Sequence, residues 1–251
     1  MSPTPDAPTG IAIAFDVPTL ADALALDQRL GPGPELAKVG LELFAAEGPR
    51  AVIALRERGR GVFLDLKLHD IPNTVRGAAA SAARTGAELL TIHATGGRAM
   101  IEAAVEGIRS AGGTTRVVAV TILTSLDAAS VPPGFEQPFI TERVVAKLLA
   151  LAEEAGAAGI VCAPTDLAPV RRLHGRPFFA VTPGIRPAGG ATQDQARVST
   201  ITDAVREGAG LIVLGRAVTA APDPAAALAA ARRERDAALA DRAAGLSTPQ
   251  S

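Results

Sequence analysis

Eight short runs of β-branched and other apolar residues, each followed by a longer Ala-rich stretch of helical period, predict an α/β fold. Such alternation gives parallel strands joined by crossover helices, and eight units allow closure into a single (β/α)8, or TIM, barrel. The length agrees, since 251 residues is the size of one such barrel, typically ~250 residues. An open doubly wound sheet is the structural alternative. A GxGxxG turn after the first strand would favour it, but Asp16-Val-Pro-Thr19 stands there.

The strands are expected at Ile11–Asp16, Leu36–Gly40, Gly61–Lys67, Leu89–His93, Arg116–Thr121, Gly159–Cys162, Phe178–Thr182 and Leu211–Leu214. The helices are expected at Leu20–Leu30, Pro49–Arg58, Thr74–Thr85, Gly97–Ser110, Thr141–Ala155, Leu167–Leu173, Ile201–Glu207 and Pro224–Ala240. Thr19-Leu-Ala-Asp22 has the form of a capping box, in which each end residue can satisfy a free amide of the first turn. Gly31, Gly59, Gly86 and Gly112 fall at helix ends, where a left-handed residue is often required. Two long connections, Thr124–Ile140 and Pro183–Ser199, follow the fifth and seventh strands and open onto the C-terminal face, where such barrels place their chemistry. Residues 1–10 read as a disordered tail, 11–242 as the barrel and 243–251 as a C-terminal tail.

Composition excludes several classes. Hydrophobic residues make up 48%, enough for a sizeable core. Acidic and basic residues nearly cancel, leaving a net charge of −1, and aromatics are 3%, so neither nucleic acid nor an anionic membrane surface is an expected partner. A lone cysteine, Cys162, rules out a disulfide framework and a cysteine-rich zinc site. The N-terminal residues lack the basic flank and apolar run of a signal peptide, and no apolar stretch reaches the ~20 residues of a spanning helix, so a cytoplasmic location is expected.

Of 25 Lys and Arg only three are lysines: Lys38, Lys67 and Lys147. Where arginine supplies ordinary surface charge, a lysine marks a place that needs a compact ammonium able to give up a proton, unless coding bias alone left it there. Lys67 lies in Phe63-Leu-Asp-Leu-Lys-Leu-His-Asp70. Strand alternation puts Asp65 and Lys67 on one face and Leu64, Leu66 and Leu68 on the other. With the leucines against the helices, the two charges point into the barrel mouth, where they need each other and further partners. Lys38 ends the second strand and Asp16 the first, while Asp70 follows in the next loop. Two of the three lysines and three acids thus gather at adjacent strand ends. A structural ion pair is the competing account of a D-x-K-x-x-D spacing; position favours catalysis. An ammonium beside a carboxylate can stabilise a developing carbanion and then protonate it, which is the chemistry of a decarboxylation without a cofactor. Lys147, mid-helix, reads as a surface lysine.

The eighth strand runs into Val213-Leu-Gly-Arg216. Gly215 lets backbone amides approach a ligand, and Arg216 offers a bidentate fork at a helix start, where barrels of this kind bind phosphate. After the seventh strand, Arg186 and Gln195 sit in a Gly-rich loop that can fold over the same phosphate. His93 reads as a supporting hydrogen-bonding residue, His69 as structural, His174 as a helix-end surface residue and Cys162 as a packed core thiol.

Asp16, Ala37-Lys-Val-Gly40, Leu64-Asp-Leu-Lys-Leu-His-Asp-Ile-Pro-Asn-Thr74, Val120-Thr-Ile-Leu-Thr-Ser125, Thr182-Pro-Gly-Ile-Arg-Pro187 and Val213-Leu-Gly-Arg216 together resemble, in order from residue 11 to 225, the orotidine 5′-phosphate decarboxylase family. The resemblance implies a homodimeric barrel that converts orotidine 5′-monophosphate to uridine 5′-monophosphate and CO2 in de novo pyrimidine biosynthesis, without metal or organic cofactor. It implies that Lys67 is the proton donor and Asp65 the acid facing the substrate carboxylate. Lys38 and Asp16 become ribose contacts, with Lys38 also holding the charge row. Asp70, flanked by Ile71 and Thr74, becomes the acid contributed across the dimer interface. Thr124, or its neighbour Ser125, matches the pyrimidine contact. Arg186, Gln195, Gly215 and Arg216 match the phosphate-gripping set, with Gln193 as the local competitor of Gln195.

Two other readings stay open. A magnesium-dependent 3-keto-gulonate-6-phosphate decarboxylase or hexulose-phosphate synthase resembles the same pattern, but carries a glutamate where this sequence has Lys38, and a lysine there would repel the cation. A non-catalytic phosphosugar-binding barrel would have no use for a carboxylate set against the substrate's own, as Asp65 is.

Overall fold

The computed structural model describes residues 8–126, 130–131, 134, 139–186 and 199–245, with Arg186 described through its backbone alone. Strands β1 (Gly10–Ala14), β2 (Leu36–Val39), β3 (Val62–Leu68), β4 (Leu89–His93), β5 (Arg116–Val120), β6 (Gly159–Val161) and β7 (Ala180–Arg186) lie side by side in chain order. A two-residue β8 (Ser199–Thr200) pairs with the far end of β7. β9 (Leu211–Leu214) then fits between β7 and β1, with Val181 opposite Leu211 and Ile11 opposite Ile212, and closes the ring. Every pairing is parallel, so all eight barrel strands present their C-terminal ends at one face.

Helices α1 (Leu20–Leu30), α2 (Leu41–Glu47), α3 (Pro49–Glu57), α4 (Pro72–Arg84), α5 (Arg98–Ser110), α6 (Thr141–Glu154), α7 (Leu167–His174) and α8 (Ile201–Arg206) connect them, and α9 (Arg216–Thr219) and α10 (Pro224–Ala243) follow the last strand. α2 was not foreseen, being too short at seven residues for a 3.6-residue period to show, while the helix start expected at Arg216 is the four-residue α9. α4 starts two residues earlier than expected, with Pro72 in its first turn, where the missing N–H costs nothing. β7 runs on through Pro183 and Gly184, which read as loop; the ladder shifts register between Thr182 and Ile185 to accommodate them. The Thr19 cap forms half of the expected box. Thr19 Oγ1 accepts the Asp22 N–H at 3.1 Å, but the Asp22 carboxylate accepts from the Thr19 hydroxyl, not from a backbone amide. The four helix-end glycines all take positive φ.

Alternation along the strands separates two apolar layers. Ala12, Ala14, Phe63, Leu89, Val118, Val120, Val161, Val181, Leu211 and Val213 fill the barrel interior. Their neighbours, among them Ile11, Ile13, Leu64, Ile92, Ala119, Ile160 and Ile212, face the helices. At the N-terminal face an ionic network ties the ends of several elements together. Arg60, just before β3, donates from Nε to Asp27 of α1 at 2.6 Å, and Arg58 pairs with the same carboxylate. Arg232 of α10 forks onto Glu35, just before β2, at 2.5 and 2.6 Å. Among the described residues no helix is long and apolar enough to cross a membrane.

Candidate active site

The apolar interior ends where the charges begin. Continuing the inward series, Asp16 follows Ala14, Lys38 follows Leu36, Asp65 follows Phe63 and Thr91 follows Leu89, so adjacent strand ends aim polar groups into one mouth. They form an alternating row. Lys38 Nζ lies 2.9 Å from Asp16 Oδ1 and 3.6 Å from Asp65 Oδ2, and Lys67 Nζ donates to both Asp65 oxygens at 2.8 Å. Side-chain exposure is 10% for Lys38 and 12% for Asp65 but 31% for Lys67, so the Lys67 ammonium stands nearest the opening of the central pair. Gly40 makes room for this row: a Cβ there would come within 2.7 Å of Asp16 Oδ1 and 2.9 Å of Lys38 Nζ.

Asp65 and Lys67 do meet, but not through regular alternation. Between Leu64, opposite Leu90, and Leu68, opposite Ile92, three residues of β3 stand against one of β4, Thr91. This bulge contains Lys67 at φ 49°, the one non-glycine with positive φ among the described residues. That conformation costs roughly 1–2 kcal/mol. Compensation comes from Thr91, whose Oγ1 accepts the Lys67 N–H at 2.8 Å. Bulges recur beside active sites because they re-aim side chains.

Burial alone would push the Asp65 carboxyl up, but Lys38 and Lys67, helped by hydrogen bonds from Lys67 and Thr91, hold it below the usual carboxylate range. Asp65 is therefore an anion ringed by two cations. Burial lowers His93, and the neighbouring His69 and Lys67 lower it further against the pull of Asp65. The exposed His69 ring lies 5.2 Å from that of His93.

Those of the remaining expected residues that are described lie at or after the C-terminal ends of their strands. Asp70 is exposed, and its Oδ1 accepts the Ile71 N–H at 2.6 Å. Ile71, at 67% exposure, caps α4, and Thr74 lies in its first turn. Thr124 is half-buried and Ser125 exposed, both within a turn closed by the Leu126 N–H to Leu123 O bond at 2.9 Å. Gly215 caps α9, a Cβ on it would meet open space, and Arg216 follows exposed. Arg186 ends β7, its backbone opposite Thr200. Gln195 and Gln193 lie outside the described residues. Away from the site, Lys147 is exposed on α6 and Cys162 is buried. The His174 side chain is not at the surface as expected: it is 5% exposed, with Nε2 2.9 Å from Glu153 Oε2 and its ring edge-on to Phe178.

The sequence profile described as the orotidine 5′-phosphate decarboxylase / HUMPS family matches residues 9–231. The chain belongs to this family. An orotidine 5′-phosphate decarboxylase from Anaeromyxobacter sp. (strain K) is 56% identical over 218 residues, covering 86% of this chain and 94% of the relative. One from Moorella thermoacetica is 47% identical over 231 residues, covering 89% and 91%. The crystal structure of orotidine 5′-phosphate decarboxylase from Lactobacillus acidophilus superposes with a TM-score of 0.79 at 33% identity, covering 92% of this chain and all of that one. Within this decarboxylase family frame, the residue that sequence reasoning missed is Thr91. Its signal was available: a polar residue two positions after Leu89 on an inward-facing strand series.

Proposed function

We propose that this chain decarboxylates orotidine 5′-monophosphate to uridine 5′-monophosphate and CO2 in pyrimidine biosynthesis, with Lys67 as proton donor. The observation that carries the reading is the alternating row Asp16, Lys38, Asp65 and Lys67 at the C-terminal mouth. A substrate carboxylate seated beside Asp65 is repelled by a like charge; at ~4 Å such an interaction is ~1 kcal/mol in water and ~4 kcal/mol at an intermediate dielectric. As the C–C bond breaks, CO2 leaves and its electron pair stays on the ring carbon. The Lys67 ammonium stabilises that carbanion and then transfers its proton to it, and the resulting amine regains a proton from solvent. Because the charges are held in place before the reaction, little reorganisation is needed.

No metal or organic cofactor enters this scheme. Lys38 supports that choice over a magnesium-dependent sugar-phosphate enzyme, since its ammonium sits between the two carboxylates, Asp16 and Asp65, that would otherwise attract a cation. Asp16 and Lys38 hold the ribose, and Thr124 or Ser125 the pyrimidine. Arg186, Gln195, Gly215 and Arg216 hold the phosphate. The active form is a homodimer in the cytoplasm, with Asp70, Ile71 and Thr74 reaching the neighbouring site. Exposure of Leu41 (59%), Ile71 (67%) and Leu123 (38%) around the mouth supports the docking of a second copy there.

The test is an ultraviolet assay of orotidine 5′-monophosphate loss with and without EDTA, on the wild type and on Lys67→Ala. Equal wild-type rates and a folded but inactive variant are expected. Turnover that needs a divalent metal would favour the magnesium-dependent reading, and a near-normal rate in Lys67→Ala would remove it from the chemistry.

A further inference from the structure

Thr91 touches both members of the reacting pair at once. Its side chain is fully buried on β4, and it is joined to Lys67 and Asp65 by a single oxygen. A hydroxyl has one proton to give and lone pairs to accept with. The Lys67 amide can only donate and the ionised Asp65 carboxylate can only accept, so both bonds are fixed in sense. Thr91 Oγ1 accepts from Lys67 N at 2.8 Å and donates to Asp65 Oδ1 at 2.9 Å. The contact falls where the β3–β4 ladder is interrupted and Lys67 adopts its left-handed backbone.

We infer that Thr91 is a positioning residue for decarboxylation: its hydroxyl stands in for the interrupted ladder, pins the left-handed Lys67 backbone and fixes Asp65 in the orientation that receives the Lys67 ammonium. The inference rests on the proposed roles of Asp65 and Lys67. Valine has the same shape as threonine and would fill the same space, so the hydroxyl is present for its two bonds. Asp65 is faced by Lys67 from its own strand, Lys38 from β2 and Thr91 from β4, with His93 of β4 and His69 beyond. Removing one donor from that set moves protonation of Asp65 to higher pH.

Steady-state kinetics of Thr91→Val, Thr91→Ser and Lys67→Ala test this. Misplacing a reacting group by an ångström costs about 100-fold, so Thr91→Val is expected to lose kcat on that scale. Its KM and its affinity for the product uridine 5′-monophosphate stay near wild type, and the acid limb of its kcat–pH profile moves up. Thr91→Ser restores rate and profile. If Thr91→Val is too unstable to assay, Thr91→Cys replaces it, since a thiol is a weak donor and acceptor, and it is expected to fall with the valine variant. An unchanged kcat in Thr91→Val overturns the inference. So does a loss of kcat and product affinity together that Thr91→Ser does not restore, because that is the signature of packing alone. An inactive Lys67→Ala beside a fully active Thr91→Val defeats this inference only, whereas an active Lys67→Ala defeats the underlying roles as well.

Discussion

Gly40 shows how little space the charge row has. A methyl group there would press on the ends of the Asp16 and Lys38 side chains, at 2.7 and 2.9 Å, and on nothing in the backbone. Both ends can swing aside, so the fold tolerates the change while the ion pair does not. Gly40→Ala is therefore expected to melt close to wild type. Displacing one charge-assisted hydrogen bond, about 1.5–3 kcal/mol, lowers kcat/KM about ten- to a hundredfold. Kinetics alongside a thermal melt check this, and an unaltered kcat/KM would mean that the Asp16–Lys38 contact does not help to hold substrate.

At the scale of elements, the two faces of the barrel use buried charge differently. The C-terminal mouth keeps its row half-open for a ligand, while the N-terminal face ties α1, α10 and the starts of β2 and β3 into a closed network. Burial would raise Asp27, but hydrogen bonds from Arg58 and Arg60 bring it below its ordinary value. Burial would likewise raise Glu35, but the Arg232 fork and its own backbone amide bring it down. A carboxyl whose folded pKa lies below its unfolded value stabilises the protein above that unfolded value, about 4. The contribution is lost as pH falls through the folded value. Arg232→Met leaves Glu35, 2% exposed in the wild type, with its own backbone amide and Arg60 at 3.9 Å as its remaining partners. A cost of about 3–5 kcal/mol is expected near neutral pH. Near pH ~4 the cost shrinks, because Glu35 in the variant takes up a proton before the wild-type residue does. Urea unfolding at the two pH values measures this, and an equal loss at both would assign the effect to packing of the arginine stem.

For the whole molecule, the proposed dimer makes a prediction that no monomer can satisfy. If Asp70 serves the neighbouring site, a mixed dimer of Lys67→Ala and Asp70→Ala contains one site that lacks both groups and one that lacks neither. Two inactive preparations should then recover activity when their subunits are exchanged, and the recovered rate should track the heterodimer fraction seen by mass. Mixing without recovery, although heterodimers form, would return Asp70 to its own subunit's site or to a structural role.

The parts that were legible in the sequence are those governed by local rules. Strand and helix periods, turn residues and connection lengths led to eight parallel strands and a closed barrel. The positions of Asp16, Lys38, Asp65 and Lys67 at strand ends led to one charged mouth, because parallel strands all end on the same face. Short or irregular features escaped: α2, at seven residues, is too short for an apolar period to recur, and the Pro183–Gly184 extension of β7 carries the marks of a loop. Tertiary structure decided how the charges meet. The Lys67–Thr91 and Asp65–Thr91 bonds join residues 24 and 26 positions apart. They exist only once β3 and β4 have settled into a register with a bulge, and neither strand's own pattern specifies that offset. The same holds for the clearance at Gly40 and for the burial of His174, both set by what distant segments place alongside them.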